Sequence, residues 1–443
     1  MGYAGASAVI RIISARTQTP KPMARNSISL PSGSRDFLVS VITVLRSACI
    51  GRTMPSPGWG LHSAVMHVAM FTEHFHKDPS GPRLSAIQIA RALVRLGVRV
   101  TILNLGPRTR IERVEGVGDV IHARYTWKVI PVRYGRHRFC ARQLHAIHRR
   151  DPIDCVLAMG TWVGAGAALF SERSGVPFVL NPRSRIAHKP GDWKYDHDVA
   201  VANACHAFVG VSETEVAGWC AATGITRDDR FFAVLNGFDA TVLDGDVEPP
   251  PGVPHDAPII LSMAMLRKSK GQHRLMSALD TLEDLRWFAV LAGGGRGGDD
   301  EWVREHHAKM RLKDRVLLTG TVTGAHWRWL YHHADIFCLA PVYPEAGGNA
   351  YLEAQAAGLP VITSSGGGNV ELVCEDSAIV VPRGDTMTAD IAAALRKLLG
   401  DAELRKRMGD AGRERAKLFT WDRAGHGYLE AIEFARSTAA ARG

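Results

Sequence analysis

Short apolar runs alternate with helix-length amphipathic runs from Met66 to about Pro382, and no other feature of the sequence constrains the fold as strongly. Runs such as VRVTILNL and IDCVLAMG have the length and composition of strands, whereas the stretch from Thr161 to Ser174 has those of a helix. Repeated strand–helix–strand units build parallel sheets with helices on both faces. The sequence therefore predicts an α/β protein with doubly wound sheets.

A proline-rich segment divides this alternation into two halves. Residues 247–258 contain five prolines, which exclude a helix or a central strand. We expect an N-terminal domain over 66–246, a linker over 247–258 and a C-terminal domain over 259–420. A last helix, over 421–443, is expected to pack on the outside and to cross back to the first domain.

The first 65 residues differ in composition from the rest of the chain. Seven basic residues and one acidic residue lie there, so the remainder carries only +4 of the net charge of +10. We interpret this stretch as a disordered extension or a start codon assigned too early, with a transit peptide as the alternative. Nucleic-acid binding is disfavoured, because the excess charge lies in this stretch and no aromatic–basic stacking motif occurs.

The cysteines and the apolar runs bear on compartment and cofactors. The seven cysteines are scattered and never form a CxxC pair, which argues against a disulfide framework or a zinc site. No run approaches the ~20 apolar residues that a membrane span needs. The sequence predicts a cytoplasmic protein without a metal ion or other cofactor.

The segment PVYPEAGGNAYLEAQAAGLPVITSS carries the strongest chemical signal. Glu345 is predicted to lie on the loop after a strand, and Glu353 one turn into the following helix. Asn349 is expected to cap that helix, which begins near Ala350 and stops at Gly358. Carboxylates in these places can accept charge-assisted hydrogen bonds from sugar hydroxyls.

Glycines and basic residues nearby suit a phosphate-bearing ligand. Gly347 and Gly348 let the backbone approach a ligand closely, and the N–H groups at a helix start favour an anion such as a diphosphate. In LRKSKG, Arg267 and Lys270 are three residues apart. They would face one way if a helical turn begins there, offering two positive charges to the same diphosphate.

These motifs carry a family resemblance. EAGGNAYLE matches the E-x7-E signature of family 4 glycosyltransferases, and LRKSKG resembles the Arg/Lys phosphate motif of that family. VLNGFD, LAGGGRGGDDEWV and RVLLTGTV are similar to further family segments and occur in the expected order. The resemblance covers Met66 to about Trp421 and implies the GT-B fold, in which two Rossmann-like domains face each other across a cleft.

The resemblance also implies an activity. Family members of this kind move a sugar from a nucleotide sugar, retain its anomeric configuration and need no metal. Glu345 would contact the donor sugar as the catalytic residue, and Glu353 would bind the ribose. The other residues expected to bind the donor are Arg267, Lys270, Gly347, Gly348, Asn349, Ala350, Gly81 and Gly294.

The chain departs from the family pattern at two places. The sugar-binding loop has AGG where GFG is usual, and Arg183 stands where a histidine often follows VPFVL. Arg183, Arg185 and His188 are therefore candidates for binding a charged acceptor, and His76 is a further candidate facing the cleft. The expected acceptor is a saccharide or a lipid-linked molecule in cell-surface polysaccharide biosynthesis.

The basic segment from Arg133 to Arg150 has two interpretations. It is either an amphipathic helix that contacts anionic lipid, which would place the protein at the inner face of the membrane, or a solvated helix face. Two alternatives to sugar transfer also stay open: a sugar-nucleotide epimerase of the same architecture, and a non-catalytic nucleotide-sugar-binding protein. A nicotinamide-dependent dehydrogenase is disfavoured, because no GxGxxG follows a strand of the first domain.

Overall fold

The computed structural model describes most of the chain. It covers residues 65–72, 81–106, 108–125, 135–183, 185–186, 188–254, 256–295 and 298–441. The interpretation of the leading stretch, for residues 1–64, and the expected role of His76 lie outside the described residues.

In the described part of the chain, eight strands form the first sheet. They are β1 (His67–Thr72), β2 (Arg99–Gly106), β3 (Arg110–Val114), β4 (Gly118–Arg124), β5 (Cys155–Met159), β6 (Phe178–Asn181), β7 (Ala207–Gly210) and β8 (Phe231–Ala233). Their spatial order is β3-β4-β2-β1-β5-β6-β7-β8. All neighbours run parallel except β3 and β4, which form an antiparallel hairpin at one edge that the alternation of the sequence does not predict.

Six strands form the second sheet, and all of its neighbours run parallel. They are β9 (Ile259–Met263), β10 (Phe288–Ala292), β11 (Val316–Gly320), β12 (Ile336–Cys338), β13 (Val361–Ser364) and β14 (Ala378–Val381). Their order is β11-β10-β9-β12-β13-β14.

Thirteen helices connect and cover these sheets in the part of the chain that the structure describes. They are α1 (Gly81–Arg95), α2 (Arg136–His148), α3 (Thr161–Ser174), α4 (Trp193–Ala204), α5 (Glu213–Thr223), α6 (Gln272–Leu279), α7 (Asp299–Ala308), α8 (Gly324–His333), α9 (Asn349–Ala357), α10 (Asn369–Leu372), α11 (Met387–Gly400), α12 (Ala402–Ala416) and α13 (Trp421–Ala440). None of these described helices is both long and apolar enough to cross a bilayer.

Each sheet is buried on both faces. In β1, Ala69 and Phe71 pack with α2 to α5, whereas Val68 and Met70 pack with α1 and α13. The second sheet packs against α6, α7 and α11 on one face and against α8 and α9 on the other. Burial on both faces explains the continuous apolar runs in the sequence. The predicted architecture of two doubly wound α/β domains is confirmed.

The last helix belongs spatially to the first domain, although it follows the second sheet in sequence. Tyr428 and Ile432 of α13 are buried in the same core as β1. The turn before the linker meets the start of this helix: the Phe238 N–H donates to the Phe419 carbonyl over 2.8 Å. A Cβ on Gly237 would lie 2.2 Å from the Trp421 nitrogen, so only glycine fits there.

Candidate active site

A cavity of about 750 Å³ lies between the two domains, at the carboxyl ends of the strands of both sheets. The first domain contributes Arg83 and Ser85 of α1 and Arg183 after β6. The second contributes Lys270 after β9 and Glu353 of α9. Ligands of open α/β sheets bind outside the carboxyl ends of strands, and the volume suits a small organic molecule.

Lys270 reaches Glu345 across this region. The Lys270 Nζ lies 2.6 Å from Glu345 Oε1, and both side chains are largely buried. Lys270 lines the cavity, and so do the residues that directly follow Glu345. The loop of Glu345 is fixed from behind, because its carbonyl accepts the Gly368 N–H over 2.7 Å. The structure therefore brings together two of the residues that the sequence assigned to the donor.

Glu353 points into the cavity from α9 and is held by Tyr331 of α8. The Tyr331 hydroxyl donates to Glu353 Oε2 over 2.6 Å, and Tyr331 is fully buried. Trp327, which lines the cavity, packs edge-on against the Tyr331 ring at 4.9 Å. Burial raises the pKa of Glu353 to about 6, and the hydrogen bond from Tyr331 opposes that rise.

The glycine loop and the start of α9 form one wall of the cavity. Gly347 has φ 139°, a conformation that favours glycine, and Gly347, Gly348 and Asn349 all line the cavity. The first N–H groups of a helix have no partner within it, so this wall suits an anion. Ala350 follows in the first turn and packs partly into the core.

The expected capping role of Asn349 is wrong. The helix begins at Asn349 itself, the capping position is Gly348, and no side chain caps the helix. The Asn349 side chain instead accepts a hydrogen bond from the Asn236 amide over 3.1 Å. Asn236 belongs to the first domain, so this contact joins the two walls of the cavity.

Arg267 and Lys270 do not face the same way. Arg267 has an extended backbone (φ −151°), because the single 3-10 turn covers only Lys268 to Lys270. Its Nε lies 3.4 Å from Asp299 Oδ2, in an exposed pair, and Arg267 is not among the residues that line the cavity. Only Lys270 of the two reaches the cavity wall.

Two further glycines of the expected donor site lie near its edge. A Cβ on Gly294 would lie 2.6 Å from the hydroxyl of Thr321, which lines the cavity. Gly81 is the first residue of α1, two residues before Arg83. Gly294 thus lies against a residue of the cavity wall, whereas Gly81 is related to the cavity only through Arg83 of the same helix.

The acceptor-side candidates separate in the structure. Arg183 lines the cavity in a left-handed conformation (φ 61°), with its N–H donating to the Asn181 side chain over 2.9 Å. Arg185 is half-buried against α5. His188 turns to Asp192, with Nδ1 and Oδ2 3.6 Å apart, and is not among the residues lining the cavity.

Two family models match the chain one after the other. The model described as Glycosyltransferase Family 4 matches residues 79–242, and the one described as Glycosyl transferases group 1 matches residues 246–415. Together they span both domains. The chain belongs to the family 4 glycosyltransferases. The predictions of family, enzyme class and transfer from a nucleotide-sugar donor are thereby confirmed at the level of the family.

Known proteins agree with this assignment. A D-inositol 3-phosphate glycosyltransferase from Xylanimonas cellulosilytica is 28% identical over 396 residues, which are 80% of this glycosyltransferase and 91% of the relative. Sucrose-phosphate synthase from Thermosynechococcus elongatus superposes with a TM-score of 0.70 at 19% identity, over 84% of this chain and 99% of that one. Anabaena HepE, solved in complex with UDP and glucose, superposes with a TM-score of 0.66 at 18% identity, over 83% and 99%. These structures show the shared GT-B fold.

Several residues of the glycosyltransferase site were not found from the sequence. Tyr331 lies in WRWLYHHAD, where the spacing indicates only a buried helix face. The run of glycines after β13 supports the Glu345 loop, since a Cβ on Gly368 would lie 1.9 Å from the Ala346 carbonyl oxygen. This run of glycines is a sequence signal that could have indicated a close approach of two loops there.

The described part of the glycosyltransferase contains no group of three or more histidine, cysteine, aspartate or glutamate side chains placed to hold a metal ion. The positively charged residues that line the cavity are Lys270, Arg183 and Arg83. The expectation of a metal-free reaction stays a prediction.

Proposed function

We propose that this glycosyltransferase moves a hexose-like unit from a nucleoside diphosphate sugar to a saccharide or lipid-linked acceptor in cell-surface polysaccharide biosynthesis, with retention of configuration. The observation that carries the proposal is the cavity between the domains, where Lys270, the start of α9 and Glu353 converge. A cation, helix N–H groups and a carboxylate match the diphosphate and the hydroxyls of such a donor. HepE, which shares the fold, binds UDP and glucose.

Each group has a role in donor binding. Glu353, held by Tyr331, accepts hydrogen bonds from the ribose hydroxyls, and Lys270 and the first N–H groups of α9 hold the diphosphate. Glu345 accepts hydrogen bonds from the donor sugar and shares Lys270 with the diphosphate. Arg267, paired with Asp299 outside the cavity, serves the phosphates only if it leaves that exposed pair.

The transfer itself exchanges one bond for another. The bond between the anomeric carbon and the diphosphate oxygen breaks, and a bond to the acceptor oxygen forms on the same face. The acceptor proton passes to the departing phosphate oxygen. Positive charge at Lys270 and the helix N–H groups stabilises the negative charge that develops on the leaving diphosphate, without a metal.

A ligand screen tests the donor class. We expect one of the uridine, guanosine or adenosine diphosphate sugars to raise the midpoint of thermal unfolding, since a ligand at 100 times its Kd stabilises by about 2.7 kcal/mol. The response should persist in EDTA. No response to any of the three would contradict the proposal.

A donor that is epimerised when incubated alone would favour the epimerase instead.

A pair of lysine variants tests the role assigned to Lys270. Lys270→Gln should weaken donor binding about tenfold or more, because it removes a charge-assisted hydrogen bond to the diphosphate. Lys268→Gln is the matched control, since Lys268 lies in the same turn but stacks over Trp302 at 5.3 Å. Equal donor affinity in both variants would show that Lys270 does not bind the diphosphate.

We further propose a peripheral contact between α2 and anionic membrane. The apolar side of α2 is already packed, with Cys140 and Leu144 in the core, whereas Arg138 and Arg142 are exposed. The contact is therefore electrostatic rather than inserted. Flotation with vesicles containing phosphatidylglycerol, compared with phosphatidylcholine alone, tests it. Binding to the anionic vesicles that survives Arg138→Gln/Arg142→Gln would place the contact elsewhere.

A further inference from the structure

Two arginines, Arg185 and Arg383, lie on segments of opposite domains that contact each other near the donor cavity. Arg185 follows β6 and rests on α5: a Cβ on Gly218 would lie only 2.6 Å from its Nη2. Arg383 follows β14, and its Nη2 donates to the Gly366 carbonyl over 2.9 Å. Each guanidinium is thus held against a glycine of its own domain.

The elements that carry the two arginines are in contact across the domain boundary. The Glu371 carboxylate accepts the N–H groups of Glu213 and Thr214, at the start of α5, over 2.9 and 2.7 Å. A Cβ on Gly368 would lie 2.5 Å from the Ser212 hydroxyl. The segment from Gly366 to Glu371 therefore lies directly against the beginning of α5.

The same segment borders the donor cavity. A Cβ on Gly347, which lines the cavity, would lie 3.8 Å from the Val211 carbonyl oxygen and 3.9 Å from that of Gly368. Val211 lines the cavity as well. The contact between the segments that carry the two arginines is therefore continuous with one wall of the donor cavity.

Not all N–H groups of Arg185 and Arg383 form hydrogen bonds within the described part of the chain. Arg383 Nη1 is shielded from solvent and has no hydrogen-bond partner among the described residues. Arg185 forms no hydrogen bond or ion pair with them either. Burial and, after it, the positive charge of Arg185 lower the pKa of Arg383. Two like charges with unused N–H donors favour an anion between them.

Glu215 does not supply that anion. It is buried in α5 near Arg185, and its Oε2 is engaged by the Val211 N–H at 2.6 Å. Its Oε1 has no partner in the described part of the chain. Burial raises the pKa of Glu215 to about 7, so its charge is only partly available at neutral pH.

We propose that Arg185 and Arg383 together bind an oxyanion of the acceptor, a phosphate or a carboxylate, so that the acceptor is anionic and contacts both domains at once. This inference rests on the proposed transfer to an acceptor and specifies the chemical class of that acceptor. Guanidinium groups present paired donors that match phosphate and carboxylate oxygens.

Calorimetric titration of inorganic phosphate into the full chain, with UDP present to occupy the donor site, tests the proposal. We expect one phosphate site. Arg185→Gln and Arg383→Gln should each weaken it about tenfold to a hundredfold, the loss for a charged hydrogen bond. The double variant should lose less than the product of the two single effects, because both residues hold the same anion.

Control variants test whether these two arginines are specifically required, and a second ligand tests which kind of oxyanion binds. Arg396→Gln removes an exposed arginine that pairs with Asp284 in the same domain as Arg383, and it should leave phosphate binding unchanged. Arg383→Lys, which keeps the charge, should retain part of the affinity. Acetate titrated in place of phosphate distinguishes the two chemistries: tighter phosphate binding indicates a phosphorylated acceptor, and tighter acetate binding a carboxylated one.

Three results would overturn the inference. The first is that neither phosphate nor acetate binds when UDP is bound. The second is that Arg185→Gln and Arg383→Gln bind phosphate as tightly as Arg396→Gln does. The third is that only one of the two arginine substitutions weakens phosphate binding. Binding of UDP, GDP and ADP is measured first, and if UDP does not bind, the nucleotide that does bind replaces it in the titrations. Failure to bind any nucleoside diphosphate would count against the proposed function. Nucleotide binding without binding of phosphate or acetate would contradict only the role proposed for Arg185 and Arg383.

Discussion

Glu353 differs from an ordinary surface glutamate, because its carboxylate is both buried in the cavity wall and fixed in orientation. Its carboxylate lies in the cavity wall, where burial favours the neutral form, and it is oriented by a hydrogen bond from a tyrosine that is itself fully buried. Orientation before binding reduces the entropy that a ligand must lose to gain the same contacts. In the proposed donor site, Tyr331 would therefore act on the donor through Glu353 rather than by contact.

Replacing Tyr331 by phenylalanine should raise the KM for the nucleotide sugar about three- to tenfold and leave kcat nearly unchanged, since one hydrogen bond contributes about 1 kcal/mol. Steady-state kinetics with varied donor measure both. Tyr195→Phe is the control, because it also removes a hydrogen-bonding tyrosine hydroxyl, one that donates to the Ala222 carbonyl away from the cavity. An equal effect of the two substitutions would indicate general destabilisation.

Protonation of Glu353 should make donor binding depend on pH. Because the pKa is about 6, the carboxylate becomes protonated and loses acceptor capacity as the pH falls through 6, so the donor Kd should rise there. Glu353→Gln should bind weakly at every pH and show no such step. Donor titrations between pH 5 and 8 test this, with each donor Kd divided by the Kd of the Lys268→Gln control at the same pH. A pH-dependent step that persists in Glu353→Gln would show that another group titrates.

The same substitution should affect stability in the opposite direction. A carboxyl with a folded pKa above its unfolded value of 4.5 destabilises the protein once ionised, above pH 6, and no longer does so below pH 4.5. Glu353→Gln should therefore be at least as stable as the parent chain at pH 8. Urea unfolding at pH 8 measures this, and a clear loss of stability would show that the carboxylate charge contributes to folding.

Among the elements, α9 was predicted most accurately. Glu353 lies in its first turns, and it ends at Gly358 in the left-handed conformation, as the glycine and the following Pro360 indicate. Its start was misassigned, because the capping tendency of asparagine is a local average, whereas Asn349 has a partner 113 residues away. The alternation of the sequence predicted the sheets, but only the folded chain shows which loop lies against which.

The segment after β13 is an element whose glycines are required by packing. Gly368→Ala would bring a methyl group within 1.9 Å of the Ala346 carbonyl, so the Glu345 loop must move. We expect lower activity and a loss of roughly 1–3 kcal/mol in the free energy of unfolding, as in other overpacked sites. Gly400→Ala is the control, since a Cβ there meets nothing within 4 Å. Equal activity in both variants would show that the loop tolerates displacement.

Across the whole molecule, the contacts that build the site and join the two domains could not be predicted from local patterns. Tyr331 and Glu353 are 22 residues apart, and Thr214 and Glu371 are 157 apart. Periodicity reports which residues are buried, but not which loops of two separate sheets meet. The domain arrangement came from the family resemblance, and the individual contacts came from the structure.

The contact of Glu371 with α5 should help to hold the two domains together. Its carboxylate accepts two backbone N–H groups and the Thr214 hydroxyl at the positive end of that helix. Glu371→Ala should increase the radius of gyration measured by small-angle X-ray scattering and weaken donor binding. Glu375→Ala, an exposed neighbour, is the control. Identical scattering from the two variants would mean that other contacts fix the cleft.

The position of α13 has a consequence for biosynthesis. Helix α13 supplies Trp421, Tyr428 and Ile432 to the core that covers one face of the first sheet, yet it is translated after the entire second domain. On the ribosome, the part of that apolar face that α1 does not cover stays exposed until α13 has emerged. Chaperone demand and the susceptibility of nascent chains to proteases should therefore depend on how soon translation reaches the C-terminus.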